Sequence, residues 1–338
     1  MSQQEGQTLL IRADASPTVG AGHVMRCLAL AQEWHGRGGS VIFASETLSG
    51  LAQQRISSSG FAQVAVDHTG LATRRVAVET EASWIVIDVG VAVDRQLSAL
   101  QDLRTLVIDD VGRDFTNAPT LLLNQNAHGP NTRYHGINAD ALLLGLDFVL
   151  LRDELLSKAP ASRIAPSCSS VLVTLGGTDP LGLLPGLAES LSDSLDVMVH
   201  VASPSSHASM QQLRALERRS ARVVLHIDST DMGAIFQSVD IALTSGGTTV
   251  WELAYMGVPA LVGTVSPLED RLVEGLRDLR LFRVLGTFDS LTPSDLSRAI
   301  ADACADFRWR TNTSKFARDA IDGMGRLRVA DAMLSKAN

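Results

Sequence analysis

The segment Gly20-Ala21-Gly22-His23-Val24-Met25-Arg26 puts a histidine where a helix should begin, after the apolar run Thr8-Leu9-Leu10-Ile11 and a short polar loop. Glycine adopts backbone conformations closed to other residues and lets a ligand come close to the main chain. The free N–H groups of a helix start favour an anion. A phosphate-bearing substrate is the first expectation, and a neutral imidazole beside it can accept a proton. Phosphate site and general base then share one loop.

Three readings of this loop stay open on local pattern. It can be a tight strand-to-helix turn with no ligand. It can belong to a dinucleotide fold, because Glu46 follows a second apolar run at the distance of a ribose-binding acid. Against that, Ala13 to Val19 separates the strand from the glycines, and Met25 stands in the place of the third small residue of the fingerprint. The third reading is a nucleotide-sugar site with His23 facing the sugar, which needs a partner in the second half of the chain.

Two further glycine turns follow apolar runs in that half. Ser245-Gly246-Gly247-Thr248-Thr249 leads from Ile241-Ala242-Leu243 into a helical pattern, and Gly176-Gly177-Thr178-Asp179 follows Val171 to Leu175. Thr249 and Glu252 have the spacing of a capping box, which local pattern favours, although Glu252 could instead accept hydrogen bonds from a ribose diol. In the first half, Asp88 and Asp109-Asp110 end strands, as turn-forming and capping residues or as groups that polarise His23 or bind sugar hydroxyls. Asn124-Gln125-Asn126 ends another strand with amides suited to hydroxyl or acetamido groups, or to an ordinary loop. His128 and His135 read as surface residues, and His35, His68, His200, His207 and His226 form no cluster in sequence. No metal site, serine-hydrolase elbow or Walker A loop is indicated.

The elements that must position these groups alternate short apolar runs with helical patterns, the signature of parallel sheets covered by helices. Strands are expected at Leu9–Arg12, Val41–Ala44, Trp84–Asp88, Thr105–Ile108 and Thr120–Leu123. In the second half they are expected at Ser170–Leu175, Val197–Val201, Val223–His226, Ile241–Thr244 and Ala260–Val262. A helix from about His23 to Arg37 carries Met25, Leu28, Ala29, Ala31 and Gln32 on one face and ends at Gly38-Gly39. Around Ser157 to Ser167 the composition shifts to Pro, Ser and Ala, which marks a linker. The expected fold class is α/β with two Rossmann-like domains, residues 7–157 and 168–338, facing a central cleft.

The 338 residues are 45% hydrophobic and 20% charged, with a formal charge of −8 and no basic block. That composition argues against non-specific nucleic-acid binding. The start of the sequence lacks the basic and apolar regions of a signal peptide, and the strongest apolar run, Ala139 to Leu151, is too short to span a bilayer and is broken by Asp147. Three cysteines, Cys27, Cys168 and Cys304, lie at wide spacings that give neither a disulfide framework nor a zinc site. A cytoplasmic protein is expected. No exposed apolar helix stands out, so the expectation is a monomer with a small-molecule substrate and no cofactor.

Together these motifs resemble the UDP-sugar hydrolases of the pseudaminic acid pathway and the wider spore-coat-polysaccharide-type relatives described as glycosyltransferases. The resemblance rests on Arg12-Ala13-Asp14-Ala15-Ser16, on Val19 to Ala31, on Ile108-Asp109-Asp110 and on Leu122 to Asn126. It continues through Leu144-Gly145, Leu150 to Glu154, Leu175 to Pro180, Ser245 to Leu253 and Ile321 to Arg326, nearly the whole chain in order.

This resemblance implies a GT-B architecture, the nucleotide on the second domain and the sugar facing the first. It implies release of UDP by attack of water on the anomeric carbon with inversion, His23 as base, Asp14 or Asp88 orienting it, and a diacetamido-trideoxy-altrose sugar. The nucleotide contacts it implies fall on Gly177, Thr178, Gly247, Thr248 and Glu252, with no metal, and the expected substrate site further takes in Arg12, Gly20, Gly22, Arg26, Asn124, Asn126, Gly176, Asp179, Ser245 and Thr249. Two departures bear on the sugar and on any acceptor. The family's Asp-His-Tyr is here Asp88-Val89-Gly90, and its Asn-Gln pair in the second domain is here Glu269-Asp270, repulsive beside a pyrophosphate unless a cation such as Arg271 compensates. A GT-B glycosyltransferase that passes the sugar to a hydroxyl acceptor is the alternative, and a non-catalytic nucleotide-sugar sensor a third.

Overall fold

The computed structural model describes residues 6–16, 20–90, 92–160, 164–176 and 179–336. Alternating apolar runs and helical stretches build two parallel sheets, each within its own compact unit. The first unit contains residues 1–153 and 323–338, the second residues 154–322.

In the first unit the strands are β1 (Thr8–Ala13), β2 (Ser40–Ser45), β3 (Ala62–Ala65), β4 (Ala82–Asp88), β5 (Thr105–Ile108), β6 (Leu121–Asn124) and β7 (Leu142–Leu144). The helices are α1 (Gly22–Gly36), α2 (Gly50–Ser58), α3 (Leu71–Glu79), α4 (Val93–Ala99) and the single turn α5 (Asp153–Leu156), which straddles the boundary. All strand pairs are parallel in the order β3-β2-β1-β4-β5-β6-β7. Successive side chains of β1 point to opposite faces. Leu9 and Ile11 therefore join Trp34, Trp84 and Val86 in one core, while Leu10 joins Ile85, Ile87 and Val107 in the other.

In the second unit the strands are β8 (Ser170–Thr174), β9 (Met198–Ser203), β10 (Val223–Ile227), β11 (Ile241–Ser245), β12 (Ala260–Thr264) and β13 (Arg283–Thr287). Its helices are α6 (Leu184–Ser194), α7 (Met210–Arg219), α8 (Met232–Gln237), α9 (Thr249–Met256), α10 (Pro267–Leu279), α11 (Pro293–Ala305) and α12 (Phe307–Ala320). The sheet order is β10-β9-β8-β11-β12-β13, again all parallel. Val171, Val173, Leu187, Leu243 and Phe288 fill its main core.

Each sheet reverses its winding once, between β1 and β4 in the first and between β8 and β11 in the second. At such a switch point the loops leaving the two strands diverge and open a ligand crevice at their carboxyl ends. The sequence Gly20 to Arg26 leaves β1 and Asp88 ends β4. Gly176 follows β8, and the turn from Ser245 leaves β11. Thus the glycine turns identified by pattern fall on the two positions where the topology makes room for a ligand.

Three expectations are corrected. The domain expected at 168–338 loses its end, because α13 (Gly325–Ser335) packs on the first unit, with Val329, Ala330 and Met333 in that unit's core. Arg326 Nε lies 3.3 Å from Glu33 Oε2, and Arg37 Nη1 lies 2.6 Å from Asp331 Oδ1, so charges of α1 and α13 reinforce the packing. Second, the boundary falls at Asp153/Glu154, ahead of the expected linker. The later part of that linker is held by Arg310, which donates to Ala165 O and Pro166 O at 2.8 Å each. Third, Cys168 and Cys304 are joined in a disulfide with Cα atoms 5.1 Å apart. Cys168 enters β8 at its amino end, and α11 returns to that end of the sheet, so a separation of 136 residues vanishes in space. Cysteine spacing therefore carries no inference about compartment. Among the described residues no helix is long and apolar enough to cross a membrane.

Two glycines predict opposite responses. A Cβ at Gly325 would stand 2.2 Å from Val149 O, a backbone atom with little freedom to yield, so Gly325→Ala should loosen α13 and destabilise the first unit. At Gly186, in α6, a Cβ meets nothing within 4 Å, so Gly186→Ala should stabilise the second unit by about 0.5–1 kcal/mol through helix propensity. Differential scanning calorimetry, read for the two units, checks both signs.

Candidate functional site

His23 lies in the first turn of α1, and Arg26 lies three residues on, so the two side chains share one helix face. Opposite them is the carboxyl end of β4, where Asp88 pairs in register with Ala13 of β1. His23 Nδ1 is 2.5 Å from Asp88 Oδ1. A carboxylate only accepts, so Nδ1–H donates to it, and the tautomer is set with the lone pair on Nε2. Arg26 Nη2 lies 3.3 Å from the same nitrogen, but guanidinium cannot accept and the nearer carboxylate decides the assignment. Nε2 has no hydrogen-bond partner among the described residues, and the ring is 22% exposed. The result is an oriented imidazole with a free basic nitrogen.

Arg26 grips two carboxylates at once. Nε and Nη2 donate to Asp88 at 2.7 and 2.8 Å, and Nη1 and Nη2 donate to Asp110 at 2.8 Å each. Burial alone would push the Asp88 carboxyl up, but the Arg26 charge, then His23, more than offset it and hold it well below the usual carboxylate range. Asp110 is lowered in the same way, against burial, by Arg26. Burial, then the charge of Asp88, raises the neighbouring Cys27 thiol, which stays protonated.

A second layer holds these acids. Asn126 Nδ2 donates to Asp110 Oδ1 at 2.7 Å and to Asn124 Oδ1 at 3.0 Å. Asn124 Nδ2 donates to Tyr134 Oη at 2.9 Å, and that hydroxyl donates to Asp109 Oδ2 at 3.0 Å. Asp109 in turn accepts from the amides of Val111, Gly112 and Arg113. His128 Nε2–H donates to Asp110 O at 2.9 Å. Asn124 and Asn126, expected to bind ligand, are buried and spend their amides inside the fold, while His128 belongs to the network rather than to the surface. Spacing did not show the links from Asp109 and Asp110 to Tyr134, Asn126 and His128, because they join the loop after β5 to the loop after β6.

Asp14, the other candidate for orienting His23, is engaged elsewhere. Its Oδ1 is 2.6 Å from Arg12 Nη1 and accepts from the amides of Glu46 and Thr47. Arg12 is buried, and its Nε has no hydrogen-bond partner among the described residues. Gly20 adopts a φ of +79° and donates its N–H to Ser16 O, while Gly22 opens α1.

In the second unit, Gly176 has a φ of +70° and Gly177 and Thr178 lie outside the described residues. Asp179 is not free for a ligand: it is buried and accepts from the amides of Leu183 and Leu184 ahead of α6, with His207 Nε2 at 3.2 Å. The expected capping box at Thr249 does not form. Thr248 is the residue before α9 and makes no side-chain cap, so the first amides of α9 keep no side-chain partner from it. Ser245 is buried, Gly247 meets nothing within 4 Å of a built Cβ, and Glu252 sits in the first turn of α9.

Glu269 closes on this turn from α10. Its Oε2 accepts from Val265 N at 2.9 Å and from Gly246 N at 3.3 Å. Gly246 must be glycine here, since a Cβ would stand 2.4 Å from Val273 Cγ2. Burial raises the Glu269 carboxyl, the hydrogen bonds oppose that shift, and Asp270 adds to it. The Glu269 carboxyl therefore already occupies one amide of this turn. His200 and His226, on neighbouring β9 and β10, correct the expectation of unclustered histidines: their rings stack with centroids 5.2 Å apart. Among the described residues no group of three His, Cys, Asp or Glu could hold a metal ion.

No family model matches the chain. It is 23% identical over 190 residues to the spore coat polysaccharide biosynthesis protein SpsG of Bacillus subtilis, a match that covers 55% of this chain and 56% of that protein. The chain thus spans little more than half the length of that relative. It is 24% identical over 248 residues to the UDP-2,4-diacetamido-2,4,6-trideoxy-beta-L-altropyranose hydrolase of Campylobacter jejuni, covering 72% of this chain and 86% of that one. The solved structure of CalG4, the calicheamicin glycosyltransferase, superposes with a TM-score of 0.66 at 16% identity, covering 98% of this chain and 99% of that one. With two parallel-sheet Rossmann-like units and this likeness, the chain has the GT-B fold.

The site makes the first unit sensitive to acid. A carboxyl whose pKa is lowered on folding contributes stability that is complete above its unfolded value, near about 3.9, and is lost as pH falls toward the folded value. Stability of the first unit should therefore drop steeply below about pH 4. Asp88→Asn removes one such carboxyl and should flatten that slope while lowering stability at neutral pH, because Arg26 then lacks half its compensation. Urea titrations at a series of pH values measure both effects.

Proposed function

We propose that the protein is an enzyme that acts on a UDP-activated deoxy amino sugar and releases UDP with inversion at the anomeric carbon. The observation that carries this reading is the His23–Asp88 pair at the switch point of the first unit, with Nε2 oriented and unpartnered. Nε2 takes a proton from water as the water oxygen bonds to the anomeric carbon. The bond from that carbon to the diphosphate oxygen breaks, and UDP leaves with the electron pair. Asp88 holds the ring in its tautomer and offsets the imidazolium as it forms, while Arg26 and Asp110 hold Asp88.

The diphosphate belongs, in this reading, to the second unit, at Gly176 to Thr178 and the turn Ser245 to Thr249, with Glu252 toward the ribose. Val250 N and Trp251 N donate to Gly247 O and Thr248 O, whereas the amides of Gly247, Thr248 and Thr249 have no acceptor among the described residues and offer their N–H groups to an anion. They would also stabilise charge that develops on the departing diphosphate. The substrate in the Campylobacter relative's name supports testing the diacetamido-trideoxy-altrose nucleotide first. Its hydrolase name favours water as acceptor. The likeness to SpsG keeps polysaccharide biosynthesis as the setting, and a protein acting there as a monomer in the cytoplasm fits this reading.

Nucleotide release from a panel of UDP-sugars, with and without hydroxyl acceptors, tests the proposal. His23→Ala should abolish release while UDP binding changes little, and Asp88→Asn should lower kcat more than it raises KM. Release that requires an acceptor would make the enzyme a transferase, and unchanged turnover in His23→Ala would remove His23 from the chemistry.

Glu269 provides a separate expectation. Its ionised carboxylate repels a diphosphate at Gly246, so Glu269→Gln should bind UDP roughly 3- to 10-fold more tightly at neutral pH. Because burial raises this carboxyl, lowering the pH neutralises it early, and wild-type affinity should increase relative to Glu269→Gln as pH falls. Calorimetric titration with UDP across the acidic range reads the difference.

A further inference from the structure

The second unit has a cavity of about 590 Å³ away from its glycine turns. Helix α10 starts at the carboxyl end of β12 and runs back across the sheet, so its last turn reaches the amino edge, where β13 begins. There Arg277 and Arg280, from the end of α10, meet Phe282 beside β13 and Arg308, Trp309 and Phe316 of α12 around one opening. The glycine turns lie at the opposite, carboxyl edge of the same parallel sheet.

The charges at this opening are not used by the fold. The guanidiniums of Arg277, Arg280 and Arg308 make no hydrogen bond or ion pair among the described residues. The acid that lines the cavity is committed: Asp306 Oδ1 accepts from Trp309 N at 2.8 Å, and its Oδ2 is 4.0 Å from Arg283. Arg283 itself covers one side of Trp309, with its guanidinium carbon 4.5 Å from the ring centroid. Helix dipoles account for Arg277, which complements the end of α10, but not for Arg308, which stands in the first turn of α12 where a cation is disfavoured. Three guanidiniums without a hydrogen-bond or ion-pair partner among the described residues therefore face one opening on a chain of formal charge −8. Phe316, 46% exposed, adds an aromatic wall at the same place.

We propose that this cavity is a binding site for a phosphate ester with an apolar or aromatic body, the phosphate held by Arg277, Arg280 and Arg308 and the body lying against Phe282, Trp309 and Phe316. Guanidinium matches phosphate oxygens with paired, charge-assisted hydrogen bonds, and the volume lies in the range of small-ligand pockets. The apolar wall distinguishes such a ligand from inorganic phosphate. Soluble phosphate esters and anionic phospholipid headgroups share this chemistry.

Tryptophan emission reads the site directly, because Trp34, Trp84 and Trp251 are buried and Trp309 is partly exposed. Benzyl phosphate should change the emission of the full chain saturably, with half-saturation at least about tenfold below that of inorganic phosphate or benzyl alcohol. Arg277→Gln with Arg308→Gln should weaken it by about tenfold or more, without lowering the thermal unfolding midpoint, since neither side chain has a hydrogen-bond or ion-pair partner to lose among the described residues. Pelleting with phosphatidylglycerol–phosphatidylcholine vesicles, competed by benzyl phosphate and lost in the double variant, would assign the source as a lipid. Saturation without pelleting would assign a soluble ester. No saturable response, a response unchanged in the double variant, or equal half-saturation with inorganic phosphate would each overturn the proposal. Both readouts are independent of UDP-sugar turnover, so they stand or fall apart from the reading of His23.

Discussion

The guanidinium of Arg26, buried between the carboxylates of Asp88 and Asp110, is the interaction on which the first unit's site depends. A guanidinium taken from water is tolerated only where its charge and its five donors are met, and here four of its contacts fall on two acids from the ends of different strands. The group ties α1, β4 and the loop after β5 into one geometry. Removing one partner would leave a buried charge uncompensated, at a cost of roughly 3–5 kcal/mol. Two carboxylates facing one guanidinium leave a formal negative charge, and His23 is the side chain that faces it. The arrangement therefore orients the imidazole, with Nε2 turned away from the acids.

The two switch points use the same backbone topology for opposite electrostatics. In the first unit, side chains dominate: an acid-rich cluster aims one ring nitrogen outward. In the second, backbone amides dominate, at Gly247 to Thr249 ahead of and in the first turn of α9, where N–H groups without an acceptor among the described residues supply the positive potential. Glu269 is the exception there, a carboxylate seated on Gly246 and Val265. Its raised affinity for protons follows from burial and from Asp270, and it gives the second turn a charge-dependence that a pair of amide side chains would lack.

What could be read from the sequence follows the range of the interactions. Central strands such as β1, β4, β8 and β11 are covered on both faces, so each is a near-continuous apolar run, and glycine turns follow β8 and β11 at once. Edge strands give a weaker signal. Ala62–Ala65, Leu142–Leu144 and Arg283–Thr287 went unexpected because they are short or carry few fully buried residues. His23 was legible through its neighbours in sequence, and Asp88 through its place at a strand end. The burial of Asn124 and Asn126 was not, because Asp110 comes from the loop after β5 and Tyr134 lies ten residues beyond Asn124 in the long connection to β7. Likewise, Arg277, Arg280 and Arg308 form no basic block in sequence and become a cluster only where the end of α10 meets the start of α12.

Helix α1 is fixed at both ends, which gives α13 a part in the site although it lies far from His23. At the amino end, Arg26 and His23 lock onto Asp88 and Asp110. Toward the carboxyl end, Glu33 accepts from Arg37 and faces Arg326, Arg37 reaches Asp331, and Trp34 shares a core with Val329 and Met333. A rigid helix passes any tilt at one end to the other, and the 2.5 Å contact between His23 and Asp88 leaves little room for tilt. The close approach of Gly325 to Val149 sets how deeply α13 seats against this unit. Residues 323–338 are thus more than a surface addition to the first core: by holding the far end of α1 they hold the ring whose free nitrogen would do the chemistry.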